Sequence, residues 1–462
     1  LAEIDVDTMT KPGDVVIDEI TLRSYTGFTM SLKGVFQNIT VFEDIFGNCM
    51  SGSITIIDSM NIVKHFPIIG AETLTLRYRT PYKGSPLVKL VFRTFKISVK
   101  VAAAQPAAQM VRIEFVSPQA IKSMQSKVSK SYRVMRVSDM VRELYGEYLS
   151  VPDDESGRVS SSVLRGSVYD STDNTAKGIV TVEDTFDTRS YVIPYWSPLY
   201  TMNWLCHRAR SKFDTTLCDY VFYENSDGHH FVPLSRLKRQ PSSFTYTDYV
   251  QGFRSKRGER MIESELRNII AMTVEDTTDK VKQQMLGMLS SSILTHDMTT
   301  KSWATRQFNY DGSYFGEGLH VEKHPLLPAE KTDYTDAHES HLRFYPNSTF
   351  TMEGVASVHD YEETVLLRQS LLNQINAMNL IVECHGDSNV RVGQVVELRV
   401  PSIESTKMKD DYEDEYMKGR YLVTTIKHVI TDRDHRMTMT LSRDSLPEPL
   451  ADIKKAELLL EG

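Results

Sequence analysis

The sequence predicts a β-rich α+β protein in which two regions of antiparallel sheet are separated by mixed helix and strand. Three observations carry this. Apolar residues alternate with polar ones from about residue 24 to 118, alternation returns near the end of the chain, and helical spacing is confined to short stretches between. At 462 residues the chain is long enough for about three or four domains of ordinary size.

The clearest strand is 72–80. Leu74, Leu76 and Tyr78 fall on one face, Thr73, Thr75, Arg77 and Arg79 on the other, and Pro81, Gly84 and Pro86 supply the turn. In the next strand Val88, Leu90 and Phe92 share a face, whereas Phe95, Ile97, Val99 and Val101 have the opposite parity. A one-residue shift of that kind predicts a bulge near Arg93 and Thr94. Val111, Ile113 and Phe115 add a further strand, and the set fits an antiparallel sandwich or barrel.

Beyond Pro118 the period changes. Met140, Val141, Leu144, Tyr145 and Tyr148 recur at helical spacing behind Ser138, a candidate N-cap. The stretch 151–177, rich in Ser, Asp and Gly, reads as an exposed loop. Ser197 and Pro198 open a second helix that turns Leu199, Met202, Leu205, Cys206 and Ala209 inward and places Trp204 in the core. A strand over 218–223 and a turn at Asp227 and Gly228 complete an α/β segment. After Gln240 strands return around a short helix with Val281, Met285, Met288 and Leu289 on one side. Residues 316–358 hold no sustained period and read as an insertion over a surface, followed by a helix over 360–377. The last sheet signal comes from Val396, Leu398 and Val400, then Leu422, Ile426 and Ile430, then Met437, Met439 and Leu441.

The two sheet regions share one faint echo. Ile69-Gly-Ala-Glu-Thr-Leu-Thr-Leu-Arg77 and Val392-Gly-Gln-Val-Val-Glu-Leu-Arg399 each set a glycine turn before an alternating strand ending in Leu-Arg.

Composition narrows the function. The 61 acidic residues outnumber the 53 basic ones, for a formal charge of −8, which disfavours specific nucleic-acid binding. No apolar run reaches the ~20 residues of a membrane span. The cysteines Cys49, Cys206, Cys218 and Cys384 are too scattered for a disulfide framework or a paired zinc motif, and read as reduced thiols made in a cytoplasm. His320, Glu322 and His324, with His338 and His341, lack the spacing of a helical metal motif and read as solvated. The adjacent pairs His229–His230 and Cys384–His385 point to opposite strand faces. No metal or cofactor is assigned. The chain has no nucleophile elbow and no phosphate loop, and Glu183–Asp184 and Glu362–Glu363 read as solvated acids, so the expectation is a protein without catalytic residues.

One charged segment stands out. Asp410, Asp411, Glu413, Asp414 and Glu415 lie between two strands, flanked by Lys407, Lys409 and Lys418. They make either a solvated hairpin loop or a contact for a basic partner.

Met202-Asn-Trp-Leu-Cys-His-Arg-Ala-Arg-Ser211 followed by Tyr220-Val-Phe-Tyr-Glu-Asn-Ser-Asp-Gly228 resembles a segment of the baseplate hub proteins of contractile-tailed bacteriophages. So do Gly393-Gln-Val-Val-Glu-Leu398, Gly419-Arg-Tyr-Leu-Val-Thr-Thr-Ile-Lys-His428 and Met439-Thr-Leu-Ser-Arg-Asp444. The resemblance runs in order from about residue 25 to 446 and extends to the hub part of type VI valine-glycine-repeat spike proteins.

It implies two tail-tube-like antiparallel β-barrels with inserted α/β domains. The first barrel would occupy 1–118, an α/β hub domain 119–240, the second barrel 241–315 and 378–446, an insertion with a helix 316–377, and a tail 447–462. The barrels of 25–118 and 262–446 would superpose by a rotation of roughly 60°, as six barrels from three chains require. The resemblance implies a homotrimer, a pseudo-hexameric ring joining the six-fold tail tube to a three-fold central spike and letting DNA pass during genome ejection. Its partners would be the tail tube or a tube-initiator protein, a separate central spike protein, baseplate wedge proteins and the tape measure protein. Its place would be the virion's tail baseplate, after synthesis in the host cytoplasm. The alternatives are the hub of a type VI secretion or tailocin-like injection system, and a tail-associated peptidoglycan hydrolase.

Overall fold

The computed structural model describes residues 9–24, 26–59, 62, 66, 68–82, 84–102, 108–150, 179–214, 217–247, 265–277, 279–297, 301–310, 318–320, 322–323, 342–347, 350–352, 355–357, 361–401, 414 and 416–447. The first seven strands are β1 (Val16–Arg23), β2 (Thr29–Ser31), β3 (Phe36–Asp44), β4 (Ser51–Asp58), β5 (Thr73–Arg79), β6 (Val88–Ala102) and β7 (Gln109–Val116). The α/β segment holds α1 (Pro118–Gln125), β8 (Val128–Arg136), α2 (Val137–Leu144) with a π-helical turn over Tyr145–Leu149, β9 (Ile179–Val182), β10 (Thr188–Trp196), α3 (Pro198–Cys206), β11 (Tyr220–Asn225), β12 (Gly228–Pro233) and α4 (Leu234–Lys238). Then come β13 (Phe244–Thr247), β14 (Ile269–Thr277), α5 (Lys280–Met285), β15 (Ser290–Asp297), β16 (Ser302–Asn309), β17 (Glu322–Lys323), β18 (Leu342–Asn347), β19 (Phe350–Met352), β20 (Val355–Ser357) and α6 (Tyr361–Gln374). The chain closes with β21 (Met378–His385), β22 (Val395–Arg399), β23 (Gly419–Ile430), β24 (His435–Arg443) and β25 (Ser445–Leu446). The fold is α+β and rich in antiparallel strands, as the alternation predicts.

Both sheet regions belong to one 13-stranded sheet. Its path runs β14-β21-β24-β23-β3-β4-β7-β6-β5-β1-β2, with β22 paired to β23 and β13 to β22. Among the described residues this path ends at β14 and β2 and does not close on itself. The seam between the halves is one strand pair: β23 meets β3 in register from Thr425 opposite Asp44 to Ile430 opposite Ile39. The first four residues of β23 instead pair with β22. The long strand therefore carries β22 and β3 end to end along one edge and β24 along the other.

Each half has its own core. Ile20, Leu22, Ile39, Val41, Ile54, Leu74, Leu76, Leu90, Phe92, Val111, Ile113 and Phe115 form the first. Among the described residues the cluster draws on the strands and the connections between them, including helical Ile62 between β4 and β5. Phe92 and Phe115 meet with ring centroids 4.5 Å apart. The second half gathers Met378, Leu380, Val382, Val395, Leu398, Leu422, Ile426, Met437, Met439 and Leu441. Val128, Met140, Val141, Leu144, Met202, Leu205 and Phe231 make a third core, within the α/β segment. A fourth joins Leu289, Ile293, Phe308 and Tyr310 to Val365 and Leu366 of α6, so β15 and β16 pack with the inserted helix, not with the large sheet.

The register of β6 shifts between Thr94 and Lys96, where the change of parity predicts a bulge, and again between Ile97 and Val99; Thr94 turns inward, its hydroxyl bonding the backbone and carboxylate of Glu72. Three local expectations need correction. Ser138 does not cap α2. The cap position is Arg136, and Ser138 instead trades hydrogen bonds with Thr185, its N–H to Thr185 Oγ1 at 3.1 Å and its Oγ accepting the Thr185 N–H at 3.3 Å. Val281 and Met285 stand 70% and 68% exposed on α5, while Met288 and Leu289 beyond its end are buried. Parts of the 316–358 stretch are short strands, and β18 pairs in parallel with β15. The predicted loop at 151–177 lies outside the described residues.

Candidate assembly site

Three features decide what the molecule presents to partners: a hairpin that locks the domains, a polar seam, and two sheet edges. The hairpin is β11–β12, whose strands are buried on nearly every side chain. Alternation explains it. Tyr220 and Phe222 enter the α/β core, whereas Val221 and Tyr223 enter the core of the second half-sheet. The resulting wedge fixes the α/β domain against the large sheet by apolar contact on both faces.

A buried ion pair reinforces the wedge. Lys238, the last residue of α4, donates to Asp444 Oδ2 at 2.7 Å, with both side chains almost fully buried. The other carboxylate oxygen accepts the Leu319 N–H at 3.0 Å and the Ser445 hydroxyl at 2.6 Å. Burial pushes the Asp444 carboxyl up, but the charge and hydrogen bond of Lys238 outweigh it and leave the group below its ordinary range. Beside it the Arg420 guanidinium donates to the carbonyls of Leu319 and Lys238. The Arg420 N–H donates to His320 Nε2 at 2.9 Å, which requires a neutral imidazole, and burial lowers His320 to about 4. His320, expected to be solvated, thus belongs to the joint.

The seam between the half-sheets is also polar. His428 on β23 and His435 on β24 are buried with Nδ1 and Nε2 3.1 Å apart, and Glu43 on β3 lies 4.0 Å from His428 Nε2. A carboxylate that near favours the imidazolium, yet burial prevails and lowers His428 to about 4. His435 is lowered by burial and then by His428. Both rings are neutral at pH 7.

The sheet also has two edges among the described residues. Within the described residues β14 pairs only with β21, and β2 only with β1. Ile270 and Val274 on β14 are 43% and 46% exposed, with Val281 and Met285 following on α5. At the other end Phe28, beside β2, is 74% exposed. An edge strand with apolar side chains is a template for a further strand.

Of the acidic segment, only Asp414 lies among the described residues; Asp410, Asp411, Glu413 and Glu415 lie outside them. The Asp414 carboxylate accepts the N–H groups of Tyr416 at 2.8 Å and Met417 at 3.0 Å, so it caps the turn into β23. Of the histidine segment 320–341, His324, His338 and His341 also lie outside. Glu183 accepts from Ser211 at 2.9 Å and Asp184 from Arg142 at 2.7 Å, both as structural bonds. Trp204 is half-buried, edge-on to Tyr191 and Trp196 and covered by Arg208 at 3.8 Å. Among the described residues the cysteines form no disulfide. No helix among the described residues is long and apolar enough to cross a membrane.

No protein-family model matches the chain, and no curated protein matches it by sequence. Solved structures do. A tail protein from Neisseria meningitidis MC58 aligns at 9% identity and a TM-score of 0.48, covering 93% of this chain and 97% of that one. The 43 kDa tail protein of prophage MuSo2 from Shewanella oneidensis aligns at 8% identity and 0.49, covering 92% and 98%. The E. coli c3393 protein, a component of the type VI secretion system, aligns at 8% identity and 0.37, covering 94% and 79%. These are likenesses of chain path, at identities that carry no residue role from one protein to another.

Proposed function

We propose that the chain is a structural hub of a contractile tail baseplate, acting as a trimer in which each protomer contributes two sheet units to a six-membered ring. The observation that carries this is the seam. Two half-sheets, each with its own apolar core, share among the described residues one strand pair, β23–β3, and end in edge strands. Side-by-side repetition of such a unit satisfies those edges, and three copies supply six units.

The internal echo supports a relation between the halves. Gly70 and Gly393 both hold φ of +86°, in the turns that lead into β5 and β22, a left-handed conformation that favours glycine. The ordered sequence motifs supply the assignment to hubs, and with it a central spike, a tube or tube-initiator, wedge and tape measure partners, and passage of DNA at ejection. The role is architectural and uses no catalytic residue; of the acidic segment, Asp414 caps a turn, and Asp410, Asp411, Glu413 and Glu415 are either a solvated loop or a contact for a basic partner.

Light scattering over a concentration series tests the trimer. Mass should rise toward three chains with concentration, or on adding the spike protein. Strictly monomeric behaviour in both conditions would refute the proposal. Incubation with cell-wall sacculi tests the absence of hydrolysis, and release of soluble muropeptides would overturn it.

A further inference from the structure

Where the tip of the β11–β12 hairpin meets the first half-sheet, three side chains converge that the assembly role does not use. Cys49 comes from the connection between β3 and β4, Glu224 from β11 and His229 from β12. A sulfur, a carboxylate oxygen and an imidazole nitrogen from the three lie within 4.8 Å of one another. Glu224 and His229 are fully buried, and Cys49 is half-buried, which leaves one approach from solvent.

We propose that Cys49, Glu224 and His229 bind a divalent cation of the zinc class. The donor set is that of a borderline-soft ion, with thiolate, imidazole and carboxylate together. Zinc holds such ligands at about 2.0–2.3 Å in a tetrahedron, which sets its donor atoms roughly 3.3–3.8 Å apart. His229 Nε2 and Glu224 Oε2 are 3.9 Å apart, and a nitrogen and an oxygen ligand would sit roughly 3.3–3.5 Å apart, so closing on an ion needs about half an ångström of movement for that pair.

The surround fits the same reading. The Tyr145 hydroxyl lies 3.2 Å from His229 Nδ1. With Nδ1–H donating to that oxygen, the lone pair is on Nε2, the nitrogen that faces Glu224. Phe222 stacks on the imidazole with centroids 5.3 Å apart and holds the ring plane. The Met50 N–H at 2.8 Å and the Ser117 hydroxyl both donate to Glu224 Oε2, so an ion bound through that oxygen takes the place of the Ser117 hydroxyl, which can rotate away.

Charge also balances. Thiolate and carboxylate contribute two negative charges against the two positive charges of the ion, so the filled site is neutral in a place where an isolated charge is costly. The Cys49 proton leaves to solvent on binding, and the fourth position falls to a water at the Cys49 side. The ion staples the first half-sheet to a hairpin whose other face enters the core of the second. It is a structural staple, and it stands whether or not the chain builds a ring.

The test uses the full chain, stripped with chelator and dialysed. Zinc added at micromolar levels should bind at one equivalent and raise the thermal midpoint. Cobalt(II) should give a thiolate charge-transfer band that Cys49→Ser abolishes while the far-ultraviolet dichroism stays that of the wild type. A second readout needs no variant: zinc should block iodoacetamide labelling of Cys49, mapped by peptide mass. No thermal shift, no cobalt band and undiminished labelling with zinc present would overturn the proposal, as would a band of equal strength in Cys49→Ser.

Discussion

Replacing Lys238 with methionine removes the cation from a carboxylate that is sealed inside the protein. Asp444 keeps its bonds from the Leu319 N–H and the Ser445 hydroxyl, both neutral donors, and loses the ammonium at 2.7 Å. Methionine fills most of the lysine volume, so the loss is electrostatic and not a cavity. Breaking a buried pair in this way costs about 3–5 kcal/mol, a large share of the roughly 5–15 kcal/mol that holds a typical domain folded. Asp444→Asn alone should cost a comparable amount by stranding the lysine. The double variant Lys238→Met with Asp444→Asn should cost less than the two singles together, by about 0.5–3 kcal/mol, because neither charge then remains. Urea denaturation of the four proteins at pH 7, followed by tryptophan fluorescence, measures this. Since the Asp444 carboxyl is held below its ordinary range, the contribution of the pair is full above about pH 4 and is lost as pH falls through the folded-state value. A Lys238→Met protein within about 1 kcal/mol of wild type, or strictly additive variants, would refute the claim that this pair locks the α/β domain to the sheet.

Acid should loosen the seam, because burial lowers His428 to about 4 against an ordinary 6.5. The unfolded chain then binds more protons between those values, so stability falls as pH drops from 6.5 toward 4, by up to about 1.4 kcal/mol per unit for this ring. A flat urea midpoint across that window, or an unchanged slope in His428→Asn, would contradict it. Gly52→Ala should destabilise by about 1–3 kcal/mol, since a Cβ there would sit 2.2 Å from the Thr40 carbonyl oxygen and 2.7 Å from the Phe115 ring; a silent substitution counts against the packing of β4 between β3 and β7. Val274→Lys on β14 should weaken self-association at least tenfold, about 1.4 kcal/mol, with the thermal midpoint unchanged, and equal association would remove β14 from the interface. Serine at Asp410, Asp411, Glu413 and Glu415 should weaken assembly with tube or spike in low salt only, and unchanged assembly there returns the segment to a solvated loop.

Period-two alternation was a sufficient signal for β5, β7 and β24, whose buried side chains alternate with less buried ones over most of their length, and it also marked β22 and β23, although β23 is buried on both faces over Tyr421–Thr424. Where both faces are dry, alternation no longer tells which face is inward. The sequence marked a strand over 218–223 and the turn at Asp227 and Gly228, but only the fold reveals that the two faces of β11 and β12 serve different cores. Val281 and Met285 mislead for the opposite reason: helical spacing marks a face, and nothing local says whether another element covers it. Ser138 has the chemistry of a cap, but Thr185, distant in sequence, takes its hydrogen bonds. The edges of β14 and β2 depend on strand order, which no single strand encodes. The cluster of Cys49, Glu224 and His229 is the extreme case, since a cysteine far upstream joins a histidine that its neighbour His230 makes look like half of a divergent pair.

The central claim is the ring of six sheet units from three chains. An end-on electron micrograph of the purified protein, alone or with a candidate spike protein, tests it most directly. The account predicts a closed ring with three-fold symmetry whose density shows six similar lobes. Particles that remain single chains at high concentration with spike present, or a closed assembly without three-fold symmetry, would contradict it.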